Sequence, residues 1–305
     1  MLLQFFRHAN GKFILLIISL IFVVRLGLGY FNELNLLQIT LGYLAHVITA
    51  VALNRIFVKN SIVKRFSILP SVSFLLLTSN PFFLELNEST IPFLVFSLAL
   101  INLSEIYPAN QVNTKLFNSG VILSLIACFF PSSFLFVLPM LFCFQLLYGI
   151  NEWRKIWISV TAIIVPIVIY LSVQVVLLNS EAFVSEFWIQ SFSQVNSNIE
   201  SLQSLWILSF PILLTVFCGV DLQANFSKKG ILSRKFILFT FFYLLISSFV
   251  YILLKRQASS FIYLLLPMVL LISNYFEHVK IKRIHQILFV LFIMFSLGLP
   301  FFITF

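Results

Sequence analysis

The sequence predicts an all-α protein, a polytopic transmembrane bundle of about eleven helices (about 10–12). Of its 305 residues, 61% are hydrophobic and only 10% are charged, whereas a soluble domain has about 25% charged residues. The apolar residues also fall into long runs, and a spanning helix needs about 20 mainly apolar residues. We therefore expect lipid to be the solvent for most of the chain, with residues 1–305 forming a single integral membrane domain.

The apolar runs give the predicted spans. They cover 13–30, 36–54, 66–84, 90–106, 116–130, 132–150, 156–178, 204–220, 236–254, 260–276 and 285–304. The fifth run is short and ends at Pro131. It forms a tight hairpin with its neighbour, or one of the two only re-enters the membrane. The first run carries Arg25 and lacks a small-residue cleavage site, so we interpret it as a retained helix and not as a signal peptide.

Short basic clusters between the runs predict the orientation. With the N-terminus in the cytoplasm, 16 of the 19 Lys and Arg residues fall on the cytoplasmic side, as the positive-inside rule expects. We therefore predict a multi-pass protein of the bacterial inner membrane with a cytoplasmic N-terminus and a periplasmic C-terminus. The formal charge of +9 is explained by topology and by contacts with anionic lipid headgroups, and nucleic acid is not an expected partner.

The longest predicted external segment covers residues 179–203. It places Phe183, Phe187, Trp188 and Phe192 among Ser, Gln, Asn and Glu residues. This pattern predicts an amphipathic helix that lies at the outer membrane interface, with a plain linker as the alternative.

Arg25 falls within a predicted span. A charge inside a span is energetically costly and therefore indicates a functional residue. Because a guanidinium matches the oxygens of a phosphate, we predict that Arg25 binds a lipid phosphate. The alternative is that it snorkels to the surface or pairs with Glu33. Lys255 and Arg256 fall on the predicted outer side, and we expect the same role there, with ordinary headgroup contacts as the alternative.

Three glutamates, Glu33, Glu85 and Glu88, are also predicted to lie at the outer face. A carboxylate there could act as a general base or bind a divalent ion. Glu33 is the candidate catalytic residue if the chain is an enzyme. The simpler interpretation is that all three are solvated loop residues.

His46 and Gln174 lie within predicted spans, each one turn from a tyrosine, Tyr43 and Tyr170 respectively. Polar groups in hydrocarbon are costly and usually face the interior of a bundle. We therefore expect these residues to form hydrogen bonds between helices.

The sequence lacks the motifs of several classes of enzyme and of metal-binding protein. The cysteines and histidines show no metal-binding spacing, so neither a metal nor a cofactor is expected. The sequence contains no P-loop and no GxGxxG, GxSxG or CxxC motif, which makes ATP hydrolysis by this chain improbable. The spans also lack a periodic row of acidic residues, which argues against a proton-coupled pump.

Residues 66–180 contain several distinctive stretches. They are Leu69-Pro70, Ser79-Asn80-Pro81, Leu116-Phe117-Asn118-Ser119-Gly120, Phe129-Phe130-Pro131, Glu152-Trp153-Arg154-Lys155-Ile156-Trp157 and Pro166. In these stretches the chain resembles an uncharacterised family of polytopic inner-membrane proteins of Bacteroidota. The resemblance implies a membrane location and carries no activity with it.

A more distant resemblance begins at Arg25-Leu26, which is followed by Phe31-Asn32-Glu33. The basic segment Lys59 to Arg65, then Pro81 and Glu88, continue it in the same order. The N-terminal half thus looks like the GT-C glycosyltransferases, which use polyprenyl-phosphate sugars. Asn32 stands where that family has an aspartate, and the first external loop has only about five residues. The resemblance therefore implies a degenerate scaffold that has lost catalysis.

These observations predict a non-catalytic, multi-pass subunit that scaffolds a cell-envelope complex or binds lipid for it. The expected partners are membrane lipids and other membrane proteins. The alternative is a GT-C-like lipid-linked glycosyltransferase at the outer face of the inner membrane, with polyprenyl phosphate as its partner. A transporter or flippase is the third hypothesis, and the absence of paired, glycine-broken helices makes it the weakest.

Overall fold

The structure is a computed structural model that describes residues 2–7, 11–31, 34–80, 83–84, 86, 89–105, 111–129, 152–177, 202–253, 261–279 and 283–303. Helices and turns are the only regular structure in these ranges, so the predicted all-α class is confirmed. The helices are α1 Leu2–Arg7, α2 Gly11–Phe31, α3 Leu36–Lys59, α4 Leu69–Leu77, α5 Thr90–Ser104, α6 Val112–Phe129, α7 Trp153–Leu177, α8 Leu202–Ala224, α9 Ile231–Leu253, α10 Ile262–His278 and α11 Arg283–Ile303.

Three of these helices contain stretches long and apolar enough to cross a membrane, namely Leu36–Lys59, Trp153–Val173 and Ile231–Phe249. Shorter apolar stretches lie in α2, α5, α6, α8, α10 and α11. Membrane association is therefore plausible on structural grounds, and the larger number of spans stays a prediction. The predicted span 132–150 falls outside the described ranges. Nearly all of the segment 179–203 does so too, and the structure describes only its last two residues, where α8 begins at Leu202.

One predicted span is shorter than expected. The run 66–84 contains only the nine-residue helix α4. Pro70 lies in its first turn, where its missing N–H does no harm. Thr78 caps the other end, and the N–H of Phe83 donates to the Asn80 carbonyl at 2.9 Å. The polar residues Thr78, Ser79 and Asn80 directly follow the helix, and the predicted span 66–84 continued across them.

Helix α10 is the central element of the bundle. Fifteen of its 17 residues are buried, and it packs against α4, α5, α8 and α9. A helix that is apolar all round is expected in such a position. Its neighbours contribute aromatic rings, for example Phe93, which lies 5.9 Å from Tyr263 between ring centroids. The surrounding helices are therefore organised around α10.

The connectors that carry the basic clusters meet at one end of the bundle, which we call the basic end. Ser233, at the start of α9, donates to the Asn60 carbonyl at 3.1 Å. His278, at the end of α10, donates to the Ile62 carbonyl at 3.0 Å. The chain turns sharply here because Ser61 adopts a left-handed conformation with φ of 56°. This convergence is compatible with the predicted threading, in which all of these connectors share one side.

A second group of contacts lies at chain segments that the threading also places on the cytoplasmic side. Arg55 of α3 pairs with Glu105 at 2.5 Å, and Lys115 of α6 lies 3.6 Å from the same carboxylate. Glu105 directly follows α5, so the three residues connect three helices. Partial burial opposes ionisation of Glu105, but the hydrogen bond and charge of Arg55 and the charge of Lys115 outweigh it, and the pKa of Glu105 is lowered.

Helices α6 and α7 form a close contact at Gly120. A Cβ atom at this position would lie 2.6 Å from the Cβ of Ala162 and 3.3 Å from the Ser159 carbonyl oxygen. Small residues that allow helix backbones to approach are typical of packing in membranes. The glycine is therefore required by the packing of the two helices and not by the backbone conformation.

We predict that Gly120→Ala lowers the thermal unfolding midpoint in detergent, because the added methyl must push α6 away from α7. Overpacking of this kind costs about 1–3 kcal/mol. Gly298→Ala in α11 is the matched control, since a Cβ there has nothing within 4 Å. The control should be neutral or stabilising by up to about 1 kcal/mol through its higher helix propensity. Equal midpoints for the two variants would contradict the close packing at Gly120.

Candidate functional site

Arg25 of α2 is fully buried, with 0% of its surface exposed. Its Nη2 atom donates to the main-chain carbonyls of Thr78 and, at 3.1 Å, Phe83. Its Nη1 atom lies 3.2 Å from Nδ1 of His46 on α3. One guanidinium thus connects α2, α3 and the end of α4, and we call this arrangement the Arg25 clamp.

The clamp satisfies groups that helix geometry leaves unpaired. Thr78 is the C-cap of α4, and the last carbonyls of a helix have no partner within it. A cation at a helix C-terminus also stabilises the helix dipole. Arg25 supplies both the donors and the charge, so the early end of α4 and the burial of Arg25 explain each other.

The ring of Tyr43 completes the surroundings of the guanidinium. The Cζ atom of Arg25 lies 5.4 Å from the Tyr43 ring centroid, within cation–π range. The Tyr43 hydroxyl donates to the Ile18 carbonyl at 2.5 Å, which holds the ring against α2. Tyr43 and His46 are three residues apart and therefore face Arg25 from the same side of α3.

The His46 ring has two partners within the bundle. Nδ1 lies 3.2 Å from the Arg25 guanidinium, and the ring also forms a hydrogen bond with the backbone of Gly42, one turn earlier in α3. Within the described residues, Nε2 of His46 and Nε of Arg25 have no hydrogen-bond partner. Because a guanidinium only donates, the Nε–H of Arg25 is a buried donor left over for an acceptor.

The structure describes only some of the residues that sequence analysis selected. It brings Arg25 and His46 together, a contact that the sequence did not predict. Gln174 lies in α7, and its side chain is outside the described part of the structure. The other predicted residues, Glu33, Glu85, Glu88, Lys255 and Arg256, also lie outside the described ranges. Their roles therefore stay predictions.

A second polar cluster, which sequence analysis missed, lies at the basic end. Glu277 of α10 is only 2% exposed, and neither of its carboxylate oxygens has a hydrogen-bond partner among the described residues. Lys229 reaches over from the α8–α9 connector, and its Nζ donates to Oδ1 of Asn274 at 2.8 Å. Arg7 of α1 donates to the carbonyls of Phe276, at 2.8 Å from Nε, and Val279, at 2.7 Å from Nη2.

The charged side chains of this second cluster interact electrostatically, although none of them forms a hydrogen bond with Glu277. Glu277 interacts electrostatically with Arg7 and Lys229, and Asp221 of α8 also interacts with Lys229. Burial lowers the pKa of Lys229 to about 8, against the opposing effect of Asp221 and Glu277. A sequence signal did exist, because Asn274 and Glu277 are three residues apart at the end of an apolar run and so share a helix face.

Comparison with known proteins adds no assignment. No family model matches this sequence, and neither the curated proteins nor the solved structures contain a match. Among the described residues, no group of three His, Cys, Asp or Glu side chains is arranged to hold a metal ion. The two resemblances suggested by the sequence therefore stay predictions. The features of the described structure that bear on function are the Arg25 clamp, the exposed helix faces and the second polar cluster.

We predict that Arg25→Met destabilises the protein strongly, because the carbonyls of Thr78 and Phe83 lose their donor. Each orphaned buried acceptor costs about 1–3 kcal/mol, offset in part because a charge is no longer buried. The thermal midpoint in detergent is the measurement. Arg55→Met is the matched control: its side chain is 66% exposed, and a surface ion pair contributes about 0–1 kcal/mol. A midpoint no lower for the Arg25 variant than for the control would refute the clamp.

The lowered pKa of Lys229 predicts a pH effect on stability. The unfolded chain keeps this lysine protonated to about pH 10.5, while the folded chain releases the proton near pH 8. Between these values the unfolded state binds more protons, so this group makes stability rise with pH. We expect the midpoint of the native protein to rise relative to Lys229→Met between about pH 8 and 10. A constant difference over that range would show that Lys229 is not buried as described.

Proposed function

We propose that this chain is a non-catalytic, multi-pass subunit of the bacterial inner membrane that scaffolds a cell-envelope complex and binds lipid. The observation that carries the proposal is the Arg25 clamp. Arg25 is the functional candidate within a predicted span, and its donors bind main-chain carbonyls of the same protein. A charge used in this way fixes the positions of helices, as a scaffold requires.

The exposed faces of the long helices support the same proposal. On α3, apolar side chains are exposed at alternating spacings of four and three residues. They are Leu37, Leu41, Leu44, Ile48 and Val51. This spacing places them on one face. Such a face packs against lipid or against a helix of a partner subunit, and the rest of α3 packs on α2, α4 and α5.

The start of α7 supports lipid contact. Trp153 and Trp157 are 69% and 49% exposed and pack edge to face, with ring centroids 5.4 Å apart. Tryptophan is enriched at the level of lipid headgroups, and Arg154 between them is exposed. We infer that this turn lies at the membrane interface, where Arg154 contacts anionic headgroups.

A GT-C-like glycosyltransferase is the second candidate, and one observation favours it. Arg25 binds the carbonyl of Phe83, and Glu85 follows two residues later in the sequence. If Glu33, Glu85 or Glu88 approach the clamp, the unpaired Nε–H of Arg25 lies beside a candidate base. In that case Arg25, Lys255 and Arg256 bind the lipid phosphate.

Purification of the chain from its native membrane in a mild detergent, followed by mass spectrometry, tests the first proposal. We expect one or more membrane proteins in fixed stoichiometry, together with anionic phospholipid. Glu33→Gln should copurify the same partners and should restore function fully in a strain that lacks the native chain. The matched control Glu152→Gln changes an exposed carboxylate that pairs with Lys155 at 2.7 Å at the start of α7.

The two candidates give different outcomes. A chain that purifies alone under every gentle condition contradicts the scaffold. A Glu33→Gln chain that is expressed normally, keeps its partners and yet fails to restore function supports the glycosyltransferase. If reconstituted vesicles move a lipid or solute across the bilayer, both candidates are wrong and the transporter hypothesis replaces them.

A further inference from the structure

Glu277 is the least satisfied ionisable group that the structure describes. A carboxylate that is 98% buried, given its 2% exposure, normally accepts several hydrogen bonds, yet both oxygens of Glu277 lack a partner in the described residues. A buried carboxylate without a partner strongly destabilises a fold. Such a group therefore indicates that something else binds to it.

The side chains around Glu277 show which chemistry fits. Asn274 lies one turn earlier on the same face of α10 and contributes Oδ1. Asp221, at the end of α8, faces the same lysine, and its carboxylate has a long contact of 3.4 Å from Nδ2 of Asn225. Two carboxylates and an amide oxygen are hard donors, and hard cations prefer them.

The ammonium of Lys229 is a cation already supplied by the chain itself. Its Nζ is 2.8 Å from Oδ1 of Asn274 and attracts both carboxylates. Lys229 is anchored only in the α8–α9 connector, where the neighbouring Lys228 bonds to Oδ1 of Asn225 at 3.0 Å. A flexible lysine stem can swing out of such a position, whereas the oxygens stay on rigid helices.

The charged groups around Glu277 determine the net charge of the cluster. Asp221 and Glu277 contribute two negative charges, and Arg7 and Lys229 contribute two positive ones. His278 also faces the cluster, with Lys64 beside it, and its ring is bonded to the Ile62 carbonyl. Arg7 is bound to the end of α10 through two carbonyls. If Lys229 leaves, Asp221, Glu277 and Arg7 together carry one net negative charge, which attracts an incoming cation.

We propose that Asp221, Asn274 and Glu277 form a binding site for a hard divalent cation, Mg²⁺ or Ca²⁺, for which the ammonium of Lys229 competes. The three side chains supply part of the coordination shell, and water completes it, as is usual where only one or two carboxylates bind Mg²⁺. The cation connects α8 to α10 in place of the connector. The site is separate from the Arg25 clamp and does not depend on the scaffold proposal.

Removal of the competing ammonium gives the direct test. Lys229→Met keeps the apolar stem and removes the charge. We expect this variant to bind Ca²⁺ or Mg²⁺ at least about ten-fold more tightly than the native chain, measured by equilibrium dialysis at constant ionic strength. Its thermal midpoint should also rise with added cation. Dialysis against each metal separately decides between Mg²⁺ and Ca²⁺.

Two further variants make the assignment specific. Lys229→Met combined with Glu277→Gln should lose the gain in affinity, because the buried ligand is then neutral. Lys228→Met, which removes the neighbouring charge, should bind cation like the native chain. The proposal is wrong if Lys229→Met gains no affinity over Lys228→Met, or if the double variant keeps the gain.

A second uncharged variant keeps the test available if Lys229→Met does not fold. Lys229→Gln also removes the ammonium, and it should bind Ca²⁺ or Mg²⁺ at least about ten-fold more tightly than Lys228→Met. Lys229→Arg, which keeps the positive charge, should bind cation no more tightly than the native chain. Equal affinities for Lys229→Gln and Lys228→Met, or a gain in Lys229→Arg, would overturn the competition.

Discussion

A single buried guanidinium determines how helices α2, α3 and α4 can be arranged. Arg25 is fully buried, and in an apolar bundle such a charge is tolerated only where its donors are satisfied. The satisfying groups are carbonyls beyond the last turn of α4, so α4 must end early and close to α2. His46 must face the same point from α3. The positions of α2, α3 and α4 are thus coupled through one side chain.

At the basic end of the bundle, several separate hydrogen bonds and charge contacts fix the positions of the helices. The end of α10 receives Arg7 from α1 and Lys229 from the α8–α9 connector. Tyr275 and His285, 2.8 Å apart, connect α10 to α11. These contacts surround the central helix, so α10 is fixed where chain segments from across the sequence converge. The unpaired carboxylate of Glu277 lies within this convergence, which is why a cation there would affect several elements at once.

Hydropathy predicted the helical class because each helix is apolar over most of its length, and it placed Arg25 and His46 inside spans. It could not predict that they meet, since their contact depends on the relative rotation of α2 and α3. It also overestimated α4, because the predicted span continued across the polar residues Thr78, Ser79 and Asn80 to the apolar residues beyond them. Glu277 lies one residue beyond the predicted span 260–276, and its burial near Arg7 and Lys229 depends on segments that are distant in the sequence.

The coupling between Arg25 and His46 tests the central claim most directly. A double-mutant cycle with Arg25→Met, His46→Leu and the combined variant, measured as unfolding free energies in the same detergent, isolates their interaction. The clamp predicts a coupling of about 1 kcal/mol or more, because the two buried groups bond to each other. Changes that add within about 0.3–0.5 kcal/mol would mean that the two side chains act independently, and the arrangement of α2, α3 and α4 would need another explanation.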